Sequence, residues 1–256
     1  KNTTMPRTML TDALWLKLSQ LMLHSGRVYN KQKHRMTFEG ILFRMRTGCP
    51  WRDLPAEFGN WSTVFRRFNL WSKKGVLLNL FKWLSKNTDT EWLFIDGSII
   101  RTHQHGTGAA TESDEAIGKS RGGNSTKIHL AVDSYGLPVH FELSGGQVHD
   151  IVYAEKLINE SPKSCYVVAD KGYDSENFRE QIREKDSIPV IPRRKNSKMG
   201  NDDIDWCLYK YRHLVENAFG RIKNFRAIAT RYDKLEQNYA SMVALAFTIM
   251  WLPMHC

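Results

Sequence analysis

The 256-residue sequence has only four cysteines, at positions 49, 165, 207 and 256, and no two of them form a C-x-x-C pair. That scatter excludes a zinc ribbon and a disulfide framework and points to a reducing compartment. The longest apolar stretch, 239–252, falls short of the roughly 20 residues of a membrane span, so a buried helix is expected there and no membrane partner. A signal-peptide pattern, an internal repeat and a low-complexity tract are also missing. With 41% hydrophobic and 11% aromatic residues, disorder of the whole chain is excluded, and the length suits one large domain or two small ones.

Negative charge is scarcest in the first third. Residues 1–90 hold 16 Lys/Arg against 5 Asp/Glu, whereas residues 91–256 hold 21 against 22, so the formal net charge of +10 is N-terminal in origin. A polyanion is the matching partner. Apolar residues recur at helical spacing over 11–23, with Thr11 or Asp12 as cap, and over 37–46, stopping at Gly48-Cys49-Pro50. A Pro-bounded turn at 51–55 precedes helices over 62–73 and 76–86. The spacing predicts a basic, tryptophan-rich helical domain over residues 1–88, of helix-turn-helix size, that docks on DNA; a helical packing domain with a solvated basic face is the alternative.

From Glu91 the period becomes strand-like. Trp92-Leu93-Phe94-Ile95 is a short apolar run that ends at Asp96-Gly97-Ser98, and 101–126 is polar and loop-like. Residues 128–132 and 139–143 alternate about Asp133-Ser134-Tyr135-Gly136 as a hairpin. A helix over 150–159 leads to the strand Tyr166-Val167-Val168-Ala169, which ends at Asp170-Lys171-Gly172. A helix over 175–186, a strand over 188–191, a helix over 207–226 and the apolar helix complete the chain. The element order predicts an α/β catalytic domain over 89–256: a ribonuclease-H-like, mixed five-stranded sheet with helices.

Two buried strands that end in Asp96 and Asp170 place both carboxylates in one crevice if the strands are parallel neighbours. Either one alone also suits a turn or a helix cap. At about 100° per residue along 207–226, and relative to Tyr209, Arg212 falls near −60°, Glu216 near −20° and Lys223 near −40°. The stripe joins a carboxylate that suits a hard cation to donors that suit phosphate, though such a face is also a common solvated one.

The constellation Tyr209-x2-Arg212-x3-Glu216-x6-Lys223, behind Asp96-Gly97-Ser98 and Asp170-Lys171-Gly172-Tyr173, resembles the DDE-type transposases of bacterial insertion sequences, in the group with a tyrosine–arginine–glutamate–lysine signature. Gly48-Cys49-Pro50-Trp51-Arg52-Asp53-Leu54-Pro55, Ser120-Arg121-Gly122-Gly123 with Thr126-Lys127, and Gly146-Gln147-Val148-His149-Asp150 look like the insertion-sequence five family. The resemblance implies that Asp96, Asp170 and Glu216 are catalytic and bind two Mg²⁺ ions, with Mn²⁺ as substitute, for in-line displacement at phosphorus. It also implies that Tyr209, Arg212 and Lys223 hold DNA. Arg52, Arg66, Arg67, Arg121, Lys127, Arg193 and Arg194 are further candidate DNA contacts. Terminal inverted repeats and target DNA, a homodimer or larger assembly, and a bacterial cytoplasmic, nucleoid-associated location complete the expectation. Only 45 residues lie between Asp170 and Glu216, too few for the large β-rich insertion of some relatives.

Other features carry less. Gly118-Lys119-Ser120 resembles the end of a P-loop, but Ser113 stands where that motif needs Gly, so an ATPase is rejected. His103-x-His105 has no third ligand at matching spacing. His149-Asp150 follows the hairpin, which suits a place near the active site, but a helix N-cap is the preferred role for Asp150. The basic run Arg193, Arg194, Lys195 and Lys198 suits a DNA-contacting or a solvated loop. Rival functions are a catalytically silent, transposase-derived DNA-binding protein, which the three carboxylates disfavour, and a simple metal-dependent nuclease of the same fold, which the basic N-terminal third disfavours.

Overall fold

The structure, a computed structural model, describes residues 6–27, 29, 31–108 and 115–255. Cys256 and Ser113 lie outside the described residues. Four helices come first: α1 (Asp12–Leu23), α2 (Gln32–Thr47), α3 (Trp61–Lys73) and α4 (Val76–Leu84). Strands β1 (Trp92–Thr102), β2 (Gly118–Ser120), β3 (Gly123–Val132) and β4 (Pro138–Gly145) follow. Then come α5 (Ile151–Glu160), β5 (Tyr166–Val168), α6 (Glu176–Glu184), β6 (Ile188–Val190), α7 (Trp206–Tyr209), α8 (His213–Lys223), α9 (Arg226–Ala229) and α10 (Glu236–Trp251). The chain divides into two compact units, one helical (1–84, 108–115 and 222–256) and one built on the sheet (85–107 and 116–221).

In the helical unit the Thr11 hydroxyl accepts the Leu14 N–H at 3.3 Å and so caps α1, as the sequence predicts. α2 starts five residues earlier than expected and ends where Gly48 turns left-handed, at φ 70°. Leu18, Met22, Phe38, Phe68 and Trp71 meet in a core from which solvent is excluded. The 1–88 boundary expected from composition does not describe this unit. α10 is apolar on every side, so it must be covered all round, and residues 242–247 are completely buried. It packs on α4 and α3, with the Phe81 and Phe247 rings 5.4 Å apart and the Ser241 hydroxyl donating to Ser72 at 2.8 Å. The last helix therefore completes the core that the first four begin.

In the sheet unit the strands run in the order β4-β3-β1-β5-β6, with the short β2 added to β3. β1, β3 and β4 are antiparallel, and β5 and β6 continue the sheet parallel to β1. This is the mixed, ribonuclease-H-like sheet expected, but with seven strands where five are expected, the additional two being short. Pro189 sits in β6, an edge position that tolerates a missing backbone donor. Leu93 and Ile95 of β1 and Val167 of β5 form a core with Ala154, Leu157 and Ile158 of α5 and Phe178 and Ile182 of α6.

Two expectations need correction. β1 does not stop at Asp96-Gly97-Ser98 but runs to Thr102, because β3 pairs with it through Arg101, whereas its parallel partner β5 pairs only as far as Phe94. The expected continuous helix over 207–226 is broken: α7 gives way to a 3-10 turn at Lys210–Arg212 before α8, and α9 is separate.

Candidate active site

The register of β1 and β5 places the first two candidates. Phe94 lies opposite Val168, and two residues farther along each strand come Asp96 and Asp170. They emerge together where the parallel pairing ends, the position at which α/β sheets open a crevice. The Asp96 carboxylate accepts the N–H of Gly97 at 2.7 Å. Asp170 caps the 3-10 turn Lys171–Tyr173, accepting the N–H of Gly172 at 2.7 Å. The cap and the site are one arrangement. Arg194 fastens the same turn, with its guanidinium donating to the Lys171 and Gly172 carbonyls, each at 3.2 Å.

The third candidate arrives from the C-terminal side of the unit. The Asp205 carboxylate accepts the Leu208 N–H at 2.9 Å and starts α7, and Tyr211 of the 3-10 turn packs on Trp92 of β1, with ring centroids 5.4 Å apart. The turn thereby sets Arg212 beside the sheet, where its guanidinium bonds Asp96 at 3.0 Å and also pairs with Glu216 one turn along α8. The helical stripe thus brings Arg212 and Glu216 to Asp96. Tyr209 is half-buried, edge-on to Trp206 at 5.6 Å. Lys223 is exposed at the end of α8, two turns beyond Glu216. Among the described residues no three His, Cys, Asp or Glu side chains are gathered to hold a metal ion; Arg212 engages Asp96 and Glu216 instead.

Electrostatics mark Asp96 as the strained member. Burial pushes its pKa up to about 6, against the pull of the Gly97 N–H and Arg212, and the charges of Asp170 and Asp150 add to the rise. Burial works against the charge on Arg212, yet Asp96 and Glu216 hold its pKa above the usual arginine value.

Asp150, expected to be an N-cap, makes no side-chain cap bond to α5. Its Oδ1 is 3.0 Å from the Lys127 ammonium and 3.6 Å from His129 Nδ1. Lys127 is therefore not a DNA contact: its side chain is buried, and its ammonium also donates to the Val148 carbonyl at 2.7 Å. Burial, foremost, lowers the pKa of His129 to about 4, so this imidazole is neutral at pH 7. Gly97 makes room for the arrangement, because a Cβ there would lie 2.1 Å from Asp150 Oδ1. The glycines beside Gln147 act alike. A Cβ on Gly118 would lie 1.6 Å from its amide oxygen, and one on Gly145 2.7 Å. The Gly-rich motifs at 118–123 and 145–150 are thus packing partners in the loop that carries Asp150. Of the two places the sequence allows Asp150, beside the site or as an N-cap, the structure gives the one beside Asp96-Gly97, and the glycine directly after Asp96 is the signal for it.

The remaining candidates divide. Arg193 is buried, and its guanidinium is used up by Asp203 at 2.6 and 3.1 Å and the Gly200 carbonyl at 3.0 Å, so a DNA contact is overturned there. Arg194 is exposed but occupied by the Asp170 turn. Arg121 is exposed in the β2–β3 turn. In the helical unit Arg52 lies 5.6 Å from the Trp61 ring centroid, Arg66 reaches back to Ser62, and Arg67 lies 5.9 Å from the Trp71 centroid.

Comparison with known proteins identifies the family of the chain. A family described as "Transposase DDE domain" matches residues 87–251, and one described as "Putative transposase of IS4/5 family" matches residues 10–81. The chain is similar to a Brucella ovis protein named "Putative transposase for insertion sequence element IS6501", 33% identical over 132 residues, half of this chain and 98% of that one. It is also similar to the "Transposase for insertion sequence element IS1106" of Neisseria meningitidis, 28% identical over 41% of this chain and 38% of that one. A solved structure, "Crystal structure of a pre-cleavage Mos1 transpososome", shares 10% identity over 86% of this chain and 78% of that one, with a TM-score of 0.28.

Proposed function

Because the chain belongs to the DDE transposases of IS4/IS5-type insertion sequences, we propose that it binds the terminal inverted repeats of its own element and cuts and joins DNA strands there, with Asp96, Asp170 and Glu216 as the catalytic carboxylates. The observation that carries this reading is the convergence of Asp96 and Asp170 at the end of the parallel pair with Glu216 one arginine away. It falls within the tyrosine–arginine–glutamate–lysine signature group, with Tyr209, Arg212 and Lys223 in the matching positions.

The donor set fits divalent cations. It consists of carboxylate oxygens, the ligands that Mg²⁺ prefers and Mn²⁺ accepts, and the charge on Asp96 is disfavoured first by burial and then by the neighbouring Asp170 and Asp150. Asp96, Asp170 and Glu216 would hold the two ions. When bound, such ions polarise the phosphoryl group and favour the deprotonated form of an attacking water or 3′-hydroxyl. The protein's own contribution is position. Backbone N–H groups of Gly97 and Gly172 fix one oxygen of each aspartate, and Arg212, which pairs with Asp96 and Glu216 in the free protein, turns the same planar two-donor fork to phosphate oxygens when DNA is bound. Tyr209 and Lys223 hold the DNA backbone near the cut end. The helical unit, with the N-terminal basic excess, recognises the repeats, and a homodimer or larger assembly joins two ends to one target.

Full-length protein incubated with DNA that carries the repeats flanking its gene tests this. Mg²⁺-dependent nicking and joining are expected, and Asp170→Ala should lower both on the order of 10³-fold while end binding survives. Cleavage by Asp170→Ala near the wild-type rate overturns the assignment. Binding of the repeats with no cleavage by the unaltered chain favours the silent DNA-binding alternative.

A further inference from the structure

Four groups around Asp96 are left over from the proposed chemistry: the buried Lys127, His129 and Tyr173, and the partly exposed Asp150. The tyrosine is the most informative. Tyr173 is fully buried, in the turn that Asp170 caps, and its hydroxyl has no hydrogen-bond partner among the described residues. That hydroxyl lies in the field of Asp150, Asp96 and Asp170, in that order of strength, with Arg212 opposing. A buried hydroxyl without a partner destabilises the fold, so its retention needs a reason, and Phe would fill the same space without that cost.

Asp150 presents the complementary puzzle. It sits at the entrance to α5, where its carboxylate could cap the helix, and does not. Two devices hold it on β1 instead. Lys127, from the neighbouring strand β3, neutralises part of its charge at 3.0 Å, and Gly97 leaves open the space that any other residue's Cβ would fill. His129 adds an imidazole edge at 3.6 Å; it is stacked flat on Tyr153 at 4.4 Å and bonded through Nε2 to the Ser144 hydroxyl at 2.8 Å, so it cannot swing away. Three carboxylates, Asp96, Asp150 and Asp170, thus face a single unpartnered hydroxyl. Mutual repulsion disfavours that grouping unless a cation is to join it.

We propose that Asp150 is a fourth carboxylate of the cation site, a positioning residue that acts together with the Tyr173 hydroxyl on the hydration shell of a divalent ion held by Asp96 and Asp170. The proposal rests on the carboxylate-site reading above and extends it. Lys127 holds Asp150 in place, and the ion's outer waters give the Tyr173 hydroxyl a partner. Side chains beyond the direct ligands tune metal affinity by about 10- to 100-fold, and Asp150 belongs in that range.

The test needs no DNA and no turnover. Free Mn²⁺ is followed by electron paramagnetic resonance as the full-length protein is titrated with the metal alone. Asp150→Asn should raise the Mn²⁺ dissociation constant about 10-fold. Tyr173→Phe removes a hydroxyl that bonds nothing, so its thermal midpoint should equal or exceed that of the unaltered chain while Mn²⁺ affinity falls. That combination is not produced by a packing role. Gly97→Ala should weaken the metal as Asp150→Asn does, by driving the carboxylate off β1. Asp170→Ala is the control. If it leaves Mn²⁺ affinity intact, the carboxylate-site reading fails and this inference with it. If Asp170→Ala abolishes binding while Asp150→Asn and Tyr173→Phe leave it unchanged, the inference alone is overturned. Should Asp150→Asn not fold, unchanged affinity in Tyr173→Phe overturns it.

Discussion

The two units treat positive charge in opposite ways. The helical unit holds 19 Lys/Arg against 9 Asp/Glu, the whole net charge of the chain, whereas the sheet unit holds 18 against 18. In the helical unit Arg52 and Arg67 lie over aromatic rings and Arg66 bonds its own helix, so no acidic side chain neutralises them. Other cations of the unit are engaged internally: Arg44 is buried against Asp233 at 3.3 Å, Arg35 pairs with Asp12 at 2.5 Å, and the buried Arg231 bonds the Asp233 and Lys234 carbonyls. In the sheet unit cations are consumed internally: Lys127 by Asp150, Arg179 by Asp174, Arg193 by Asp203, and Arg212 by Asp96 and Glu216. One unit carries the excess of positive charge. The other uses its cations to place carboxylates.

The comparison breaks most visibly at Lys127. Lys127→Ala leaves the Asp150 carboxylate without its counter-ion, which should cost about 3 kcal/mol, read as a lowered denaturant midpoint. The dependence of DNA affinity on salt should not change. A weaker salt dependence with unchanged stability would return Lys127 to the phosphate contacts.

Asp96 sharpens the same contrast through pH. Its folded pKa of about 6 lies above the unfolded value near 4, so the native state binds the extra proton between those values and stability falls as pH rises from about 4 through 6. In metal-free protein Asp96→Asn should therefore be more stable than the unaltered chain at pH 7, by on the order of 1–3 kcal/mol, and the advantage should vanish below pH 4. Thermal melts in chelator across that range measure it, and a pH-independent difference would show that burial does not perturb this carboxyl.

The smallest effect belongs to the helical unit. Arg66→Ala should leave stability within about 0.5 kcal/mol and lower the slope of log affinity against log salt by about one. An unchanged slope would mean that Arg66 meets no phosphate, and the same measurement on Arg52 and Arg67 would locate the docking face.

These outcomes also show why some of the molecule was legible in its sequence and some was not. Strand β5, the hairpin β3–β4, and the pair Asp96 and Asp170 follow from local periodicity, because burial on both faces leaves a continuous apolar run that stops where solvent begins. The extent of β1 was hidden, since one half of it is paired on both edges and the other half chiefly with β3. The arginines were misjudged for a related reason: a run such as Arg193 and Arg194 has the same composition whether its partner is DNA or an aspartate ten residues along, and only the fold brings Asp203 to it. Asp150 was assigned to a cap by its place before a helix, while its real partners come from strands some twenty and fifty residues earlier.

The burial of α10 among the first helices has a consequence for synthesis. A ribosome delivers α1–α4 first, then the entire sheet unit, and only then the segment 236–251 that fills the helical core. The sheet can therefore form from residues already released, by largely local pairing, while the basic helical unit remains without its central helix. Nascent chains of this protein acquire the carboxylate cluster before they acquire a finished docking unit, and a chain interrupted before residue 236 never acquires one.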